Sequence, residues 1–453
     1  MSENNNIDID LKHVFVPNFN PLANPHINRP LIITNGKGIK VQDENGDWWT
    51  DPHSSYMSVN IGYGRNEMAK IASEELLKLN LYPPQSIGLP TINLANKLIE
   101  IAPGNLSKVF FTSSGSEANE TAIKLTKSYF HRTGETKRFK IVSRKGSYHG
   151  ATSGLSALGF ENPDPDQIIF PQYPTNIYVP LPIPSNCEFG ATSPDECTEK
   201  CIDATKKIIL SNNPDSIASF IADLIPTRPG AAIPGDGYWQ QIREICNEFG
   251  IILIIDEIVT GFGRTGKMFG LEHWNISPDI LTLAKGITSS YSPLAATLIS
   301  EKIANQFNPP NKFFKHVFTS SGNPVGSALG LKNIEIIERE NLIENSRILG
   351  NYFRIELESL KIDHKLIKHV RGLGMLLALE FFSPEEIAKH TSKPDQIEKV
   401  FNKYLYENKL LLKLANNILG IGPALSITKK EIDEIVNTIE ICISKTENEL
   451  AIH

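Results

Sequence analysis

The sequence predicts an α/β protein: a mostly parallel sheet wrapped by helices, with a smaller α+β domain assembled from the ends of the chain. Three observations carry this. From about residue 66 to residue 325, short apolar runs alternate with helical stretches, the pattern of β-α-β units. The run Ile251 to Ile255 is aliphatic throughout and stops at Asp256 before a Gly-rich turn. A run without polar alternation reads as a strand buried on both faces. From Gly326 the order changes: helix-like GSALGLKNIEIIEREN, then strand-like VRGLGMLLALEF, then a final amphipathic stretch. The expected division is therefore 1–65, an N-terminal segment joining the small domain, 66–325, the large domain, and 326–453, the C-terminal small domain.

The elements follow in chain order. The opening MSENNNIDID is polar and has no apolar core of the kind a secretory signal carries, so a disordered tail is expected. Lys108 to Thr112 reads as a strand, and a helix follows with Ala118, Ala122, Leu125 and Tyr129 on one face. The intervening SSGSEANE, Ser113 to Glu120, thus places Ser114, Gly115 and Ser116 where strand turns into helix. Free backbone N–H groups and the positive end of the helix dipole meet there, which suits an anion. Phe139 to Ser143 is strand-like and leads into GSYHG, Gly146 to Gly150. Tyr148, just past a strand end, is a candidate to stack on a flat heterocycle, a contact adding about 0.5–1.5 kcal/mol beyond burial. His149 beside it reads as structural. Glu161 to Gly190 holds Pro163, Pro165, Pro171, Pro174, Pro180, Pro182 and Pro184. Prolines at that density exclude a regular helix or central strand, so an extended surface excursion is expected.

The chemistry concentrates between Ile251 and Leu294. Asp256 closes one apolar run and Lys285 closes a second, ILTLAKG. The C-terminal edge of a parallel sheet is where open α/β folds hold ligands. A carboxylate and an amine at neighbouring strand ends are what pyridoxal phosphate needs, one to keep its pyridine nitrogen protonated and one to hold its aldehyde. Either residue alone would be an ordinary turn cap or surface lysine. With the phosphate cup upstream they form a set.

Taken together, DENGDWWTD, NIGYGR, FFTSSGSEANETAIK, SYHG, DEIVTGFGRTGKMFG, PDILTLAKG, FTSSGNPVGSA and VRGLGMLLALEF are similar, in order and over nearly the whole chain, to motifs of the class III aminotransferases. These are pyridoxal phosphate enzymes of fold type I, and the chain most resembles their ω-amino acid or amine:pyruvate group. The resemblance implies that Lys285 is the Schiff-base lysine and catalytic base, that Asp256 partners the pyridine nitrogen and that Tyr148 lies on the ring. It also implies that Val259 presses on the opposite ring face, that Ser114, Gly115 and Ser116 hold the phosphate, and that Thr319 reaches the phosphate of the neighbouring subunit in a homodimer. The activity implied is ping-pong transfer of an amino group from an amine or amino acid to pyruvate or 2-oxoglutarate. A racemase, epimerase or aminomutase on the same fold is the alternative, and a non-catalytic scaffold is a more distant one.

Substrate residues depart from the family pattern. Counting back from Tyr238, the usual Glu-Pro pair falls on Asp223 and Leu224. Counting back from Gly422, the carboxylate-binding arginine of many members falls on Lys413, which can attract a carboxylate but cannot grip it as a planar fork. Lys413 is thus either a solvated lysine or a point-charge contact. The pocket aromatic falls on Met57, or on Tyr56 if the register slips by one.

Composition agrees with a large enzyme acting on small molecules. The 453 residues can bury more than one domain's core, and a net charge of −6 with no dense Lys/Arg run argues against nucleic acid. No aliphatic run approaches the roughly 18 residues of a membrane span. Five cysteines, Cys187, Cys197, Cys201, Cys246 and Cys442, are odd in number and scattered, which fits the cytoplasm rather than a disulfide framework. Cys197 and Cys201 share helical spacing, but without a further ligand in sequence reach no metal is expected.

Overall fold

The computed structural model describes residues 29–159, 175–307 and 313–452; the N-terminal tail and the first part of the proline-rich segment lie outside them. The strands are β1 (Ile33–Lys37), β2 (Lys40–Asp43), β3 (Trp48–Thr50), β4 (Leu106–Thr112), β5 (Lys140–Arg144), β6 (Asn176–Val179), β7 (Ile217–Asp223), β8 (Ile252–Asp256), β9 (Ile280–Leu283), β10 (Ala295–Ser300), β11 (Ile367–Leu373), β12 (Leu376–Phe381), β13 (Leu414–Ala415) and β14 (Ile418–Ile421). Seven of them form the central sheet in the order β4-β10-β9-β8-β7-β5-β6. All its pairings are parallel except those of β10, which runs antiparallel to both β4 and β9.

The aliphatic run predicted to be buried on both faces is so. In β8, Leu253 and Ile255 pack into one apolar cluster with Trp239, Ile242 and Leu283, while Ile252 and Ile254 point the other way, to Ala122, Leu125 and Phe130. The helix Gly115–Arg132 covers that second face, with its buried Ala118, Ala122, Leu125 and Tyr129 as the periodicity required. The helix Tyr238–Glu248 covers the first. Layers on both sides leave only the strand ends open to a ligand.

Two expectations change in detail. VRGLGMLLALEF is not one strand but an antiparallel hairpin, β11 and β12, turning at Gly374 with φ +55°. Its Gly374 backbone lies so close to Thr265 that an added Cβ would sit 2.4 Å from a carbonyl carbon. In the proline-rich segment the described part opens with the edge strand β6, and Val179 to Pro182 are buried rather than a surface excursion. The strand β6 itself holds no proline, and Pro180 and Pro182 follow its end, so no ladder N–H is lost.

The C-terminal four-stranded sheet, β11-β12-β14-β13, is antiparallel and is backed by the helices Leu342–Ser359 and Lys429–Glu449. The N-terminal sheet β1-β2-β3 is tied to this C-terminal part: Thr50 N–H donates to Lys409 O at 3.0 Å, and Leu411 N–H to Thr50 O at 2.8 Å.

Candidate active site

A cavity of about 370 Å³ opens at the C-terminal ends of β7, β8 and β9. Its lining brings together Ser114, Gly115, Ser116, Tyr148, Asp223, Asp256, Val259 and Lys285. Asp223 and Asp256 are register partners on adjacent parallel strands, and Asp256 pairs with Thr282 on β9, three residues before Lys285.

The Asp256 carboxylate is held rigidly. Its Oδ2 accepts from Asn119 Nδ2 at 2.8 Å and is bonded to His149 Nδ1 at 2.9 Å, while its Oδ1 accepts the Ile258 N–H at 3.0 Å. Asn119 is itself fixed on all sides, donating to His149 O at 2.7 Å and accepting the Thr282 hydroxyl at 2.7 Å. All four side chains are buried, so the network cannot relax into water and stands or falls together. His149, read from sequence as merely structural, thus belongs to the support of Asp256, and Asn119 was missed. The available signal was helical spacing: Asn119 lies one turn after Gly115, on the face that meets the sheet.

Lys285 has φ +45°, a left-handed conformation that a non-glycine residue adopts at a cost of about 1–2 kcal/mol and that concentrates at functional sites. Burial, only partly offset by Asp256, lowers its pKa to about 8. A neutral amine is therefore accessible near neutrality, as a nucleophile or proton acceptor requires.

The helix Gly115–Arg132 presents its N-terminus to the same cavity. Ser114 is its N-cap and accepts the Glu117 N–H at 3.2 Å, which leaves the first-turn N–H groups of Gly115 and Ser116 for an anion. Gly115 packs closely on the loop after β8: a Cβ there would lie 2.8 Å from Ile258 Cδ1, so that side chain would have to shift. Ser116 Oγ accepts the Ala151 N–H at 3.2 Å, fastening the segment that carries Tyr148 and His149 to the helix. The Tyr148 ring lies under the Arg228 guanidinium, 4.9 Å from its centroid.

Asp223 is bonded by Ser147 Oγ at 2.7 Å and Arg144 Nη2 at 3.1 Å. Burial raises its pKa, but the Arg144 guanidinium, His149 and the Ser147 hydroxyl outweigh this and hold the carboxyl below its usual value. Three sequence candidates are not brought to the cavity. Met57 is buried against Gly420 and Gly422. Tyr56 is 60% exposed, since Ser54 to Met57 all have positive φ and turn its ring outward onto the edge of His53. Lys413 is exposed just before β13, because β13 directs the flanking Leu414, not the lysine, into the core. Thr319 is exposed and also lies outside the cavity of a single chain.

A basic amine and a fixed carboxylate at neighbouring strand ends, a helix N-terminus for a phosphate, and Tyr148 and Val259 for the faces of a flat ring fit pyridoxal phosphate. Fold and donor set together define a pyridoxal phosphate enzyme of fold type I. The family Aminotransferase class-III matches residues 22–443, and the chain belongs to it. It is 32% identical to the diaminobutyrate–2-oxoglutarate transaminase of Halomonas elongata, with 92% of this chain and 91% of that one covered. It is also 32% identical to the putrescine–pyruvate aminotransferase of Pseudomonas aeruginosa, with 92% and 91% covered. The ω-transaminase structure from Pseudomonas jessenii in complex with PMP superposes with a TM-score of 0.90 at 30% identity, covering 98% of both chains. The chain is accordingly a pyridoxal phosphate-dependent aminotransferase that moves an amino group from a donor to an oxo acid. These relatives give no support to a racemase, epimerase or aminomutase. No helix among the described residues is long and apolar enough to cross a membrane.

Proposed function

We propose that the enzyme takes its amino group from an ω-amino acid or a simple amine and passes it to pyruvate or 2-oxoglutarate, with Lys285 as the reacting lysine. The observation carrying the assignment of Lys285 is its position: a lysine in a left-handed backbone conformation, in one cavity with a carboxylate locked by Asn119 and His149. The relatives acting on putrescine and diaminobutyrate support the donor class.

When bound, pyridoxal phosphate supplies an aldehyde that takes up amines and a ring that accepts the electron pair left behind when a C–H proton departs. The protein's residues do the rest. Ser114, Gly115 and Ser116 would bind its phosphate through the helix N-terminus, and Tyr148 and Val259 would line its ring. The Asp256 carboxylate would face the pyridine nitrogen and favour a proton there. Lys285 Nζ, in its neutral form, would accept and give back the proton of the donor carbon that bears nitrogen.

Thr319, exposed in one chain, would complete the phosphate site of a second, and the enzyme would be a homodimer. Support comes from the surface beside Thr319: Phe313 and Val317 are 62% and 82% exposed. The segment bearing exposed Ile87 and Leu89 reaches the same region through Thr91 Oγ1, which donates to Gly322 O at 2.7 Å. An apolar surface of this kind marks a protein interface. We place residues 66–325 in the large cofactor-binding domain and 326–453, with 1–65, in the small one, supported by the hydrogen bonds joining Thr50 to Lys409 and Leu411. Thiols without disulfides support a cytoplasmic location.

Borohydride reduction of the loaded enzyme followed by peptide mapping tests the assignment. Label on Lys285, and loss of turnover with retained fold in Lys285→Ala, is expected. Label on any other lysine ends it.

A further inference from the structure

Outside the catalytic cavity, the fold assembles a cluster of thiols. Cys197 and Cys201 stand one turn apart on the helix Pro194–Ser211, both fully buried. The half-buried Cys187, ten residues upstream of Cys197, joins them so that all three sulfur atoms lie within 4.8 Å of one another. We propose that Cys187, Cys197 and Cys201 are the three protein ligands of a zinc ion whose fourth ligand is a solvent molecule on the side of the half-buried Cys187.

Geometry and chemistry converge on this. A tetrahedral zinc about 2.3 Å from each sulfur sets sulfur–sulfur separations of about 3.8 Å, within reach of small side-chain rotations from the observed spacing. The loop CEFGA around Cys187 is shaped for a thiolate. Gly190 takes φ +62° and donates to Cys187 O at 2.9 Å, a turn that brings the N–H groups of Phe189 and Ala191 near the Cys187 sulfur, where they act to lower its pKa. Backbone N–H groups on a sulfur stabilise its anion and fix its orientation, the role of supporting groups around metal ligands. Lys200 Nζ, paired with Glu196 Oε1 at 2.8 Å, also donates to Phe189 O at 3.3 Å and so ties the Cys187 loop to the helix that carries Cys197 and Cys201.

Each ligating thiol gives its proton to solvent on binding, so the affinity rises with pH. A disulfide would use only two of the three sulfurs and leave the third without a role. The ion would fasten the 184–191 loop to the helix, and the loop is tied onward: Arg371 of β11 donates to Ser185 Oγ at 3.1 Å and to Pro229 O at 2.8 Å. The site is therefore a brace at the seam between the central sheet and the C-terminal sheet.

The test uses the cofactor-loaded enzyme, incubated with zinc and dialysed into metal-free buffer. About one zinc per chain is expected by elemental mass spectrometry, with extended X-ray absorption fine structure showing three sulfurs at about 2.3 Å. Chelation should lower the melting temperature without changing kcat. Cys187→Ser, at a half-buried loop position, should weaken zinc retention at least about 100-fold, more than loss of a mere supporting group would. Zinc below about a tenth per chain, zinc bound through nitrogen and oxygen alone, retention unaltered in Cys187→Ser, or a disulfide within the trio in the isolated protein would each overturn the proposal. The sulfur count is measured on the wild-type chain, so the test holds even if the variant folds poorly.

Discussion

Asn119 shows how much of the catalytic carboxylate is set by a neighbour that does no chemistry itself. Its amide is saturated by Asp256, His149 O and Thr282, so truncation leaves several buried groups unpaired at once. Asn119→Ala should therefore lower kcat/KM by roughly 10- to 100-fold, the worth of a hydrogen bond to a charged group. The cofactor should still bind, because the phosphate cup is untouched. Steady-state kinetics with a cofactor titration decide this, and an unchanged kcat/KM would remove Asn119 from the site. For Lys285 the pH dependence has a definite sign. Its pKa is lowered from 10.5 to about 8, so the amine is protonated and unreactive below that value and neutral above it. The rate at which apoprotein captures the cofactor should climb by about tenfold per pH unit below pH 8 and flatten above it. A flat profile from about pH 6 to 9 would show that burial does not control the lysine. Lys413 carries the opposite expectation. Exposed and outside the cavity, it should tolerate Lys413→Ala with less than about a twofold change in KM for the oxo acid, since a solvated charge contributes little; a rise of 10-fold or more would restore it to the carboxylate site.

Among the elements, the loop between β8 and β9 depends on one buried acid. Glu257 Oε2 accepts from Gly270 N–H at 2.7 Å and Thr260 Oγ1 at 2.8 Å, and its Oε1 from Leu271 N–H at 2.8 Å. Every contact is a donor, which the side chain meets on both oxygens once it is ionised. Above about pH 7, Glu257→Gln puts an amide against an N–H and should cost about 1–3 kcal/mol, visible as a lower melting temperature in calorimetry at pH 8; an unshifted melting temperature there would refute it. Burial raises the Glu257 pKa from 4.5 to about 7. The folded state thus holds a proton that the unfolded state releases between these values, and this group's contribution to stability falls as pH rises from about 4.5 to 7.

At the scale of the whole molecule the unanswered contact is across the proposed dimer interface. Thr319→Ala should weaken cofactor retention only in assembled protein, through loss of a hydroxyl that one chain by itself does not use. Mixed dimers with a Lys285→Ala partner would locate the effect on the opposite subunit. A monomer by light scattering, or unchanged cofactor affinity in Thr319→Ala, would exclude the shared site.

What the sequence determined by itself is what local order can encode. The aliphatic runs ending in Asp256 and Lys285, and the Ser-Gly-Ser junction before a helix, are contiguous signals of burial and of helix start, and they sufficed for the sheet, the cavity edge and the cofactor. VRGLGMLLALEF is strand-like as read, but that it holds two strands was not legible, because apolar runs on both sides of a turn look alike until the pairing partner is known. Only the tertiary structure decided what depends on separate segments meeting. Asn119, His149, Asp256 and Thr282 lie on four stretches of chain, and their hydrogen bonds exist only once β5, β8, β9 and the helix Gly115–Arg132 stack. Tyr56, Met57 and Lys413 fell outside the cavity for the same reason: counting along a chain fixes position but not the direction a side chain takes, which left-handed residues at 54–57 and the pairing of β13 with β14 set here. The approach of Cys187 to Cys197 and Cys201 is likewise a property of packing, because the intervening residues fold back to bring a loop sulfur onto a helix face.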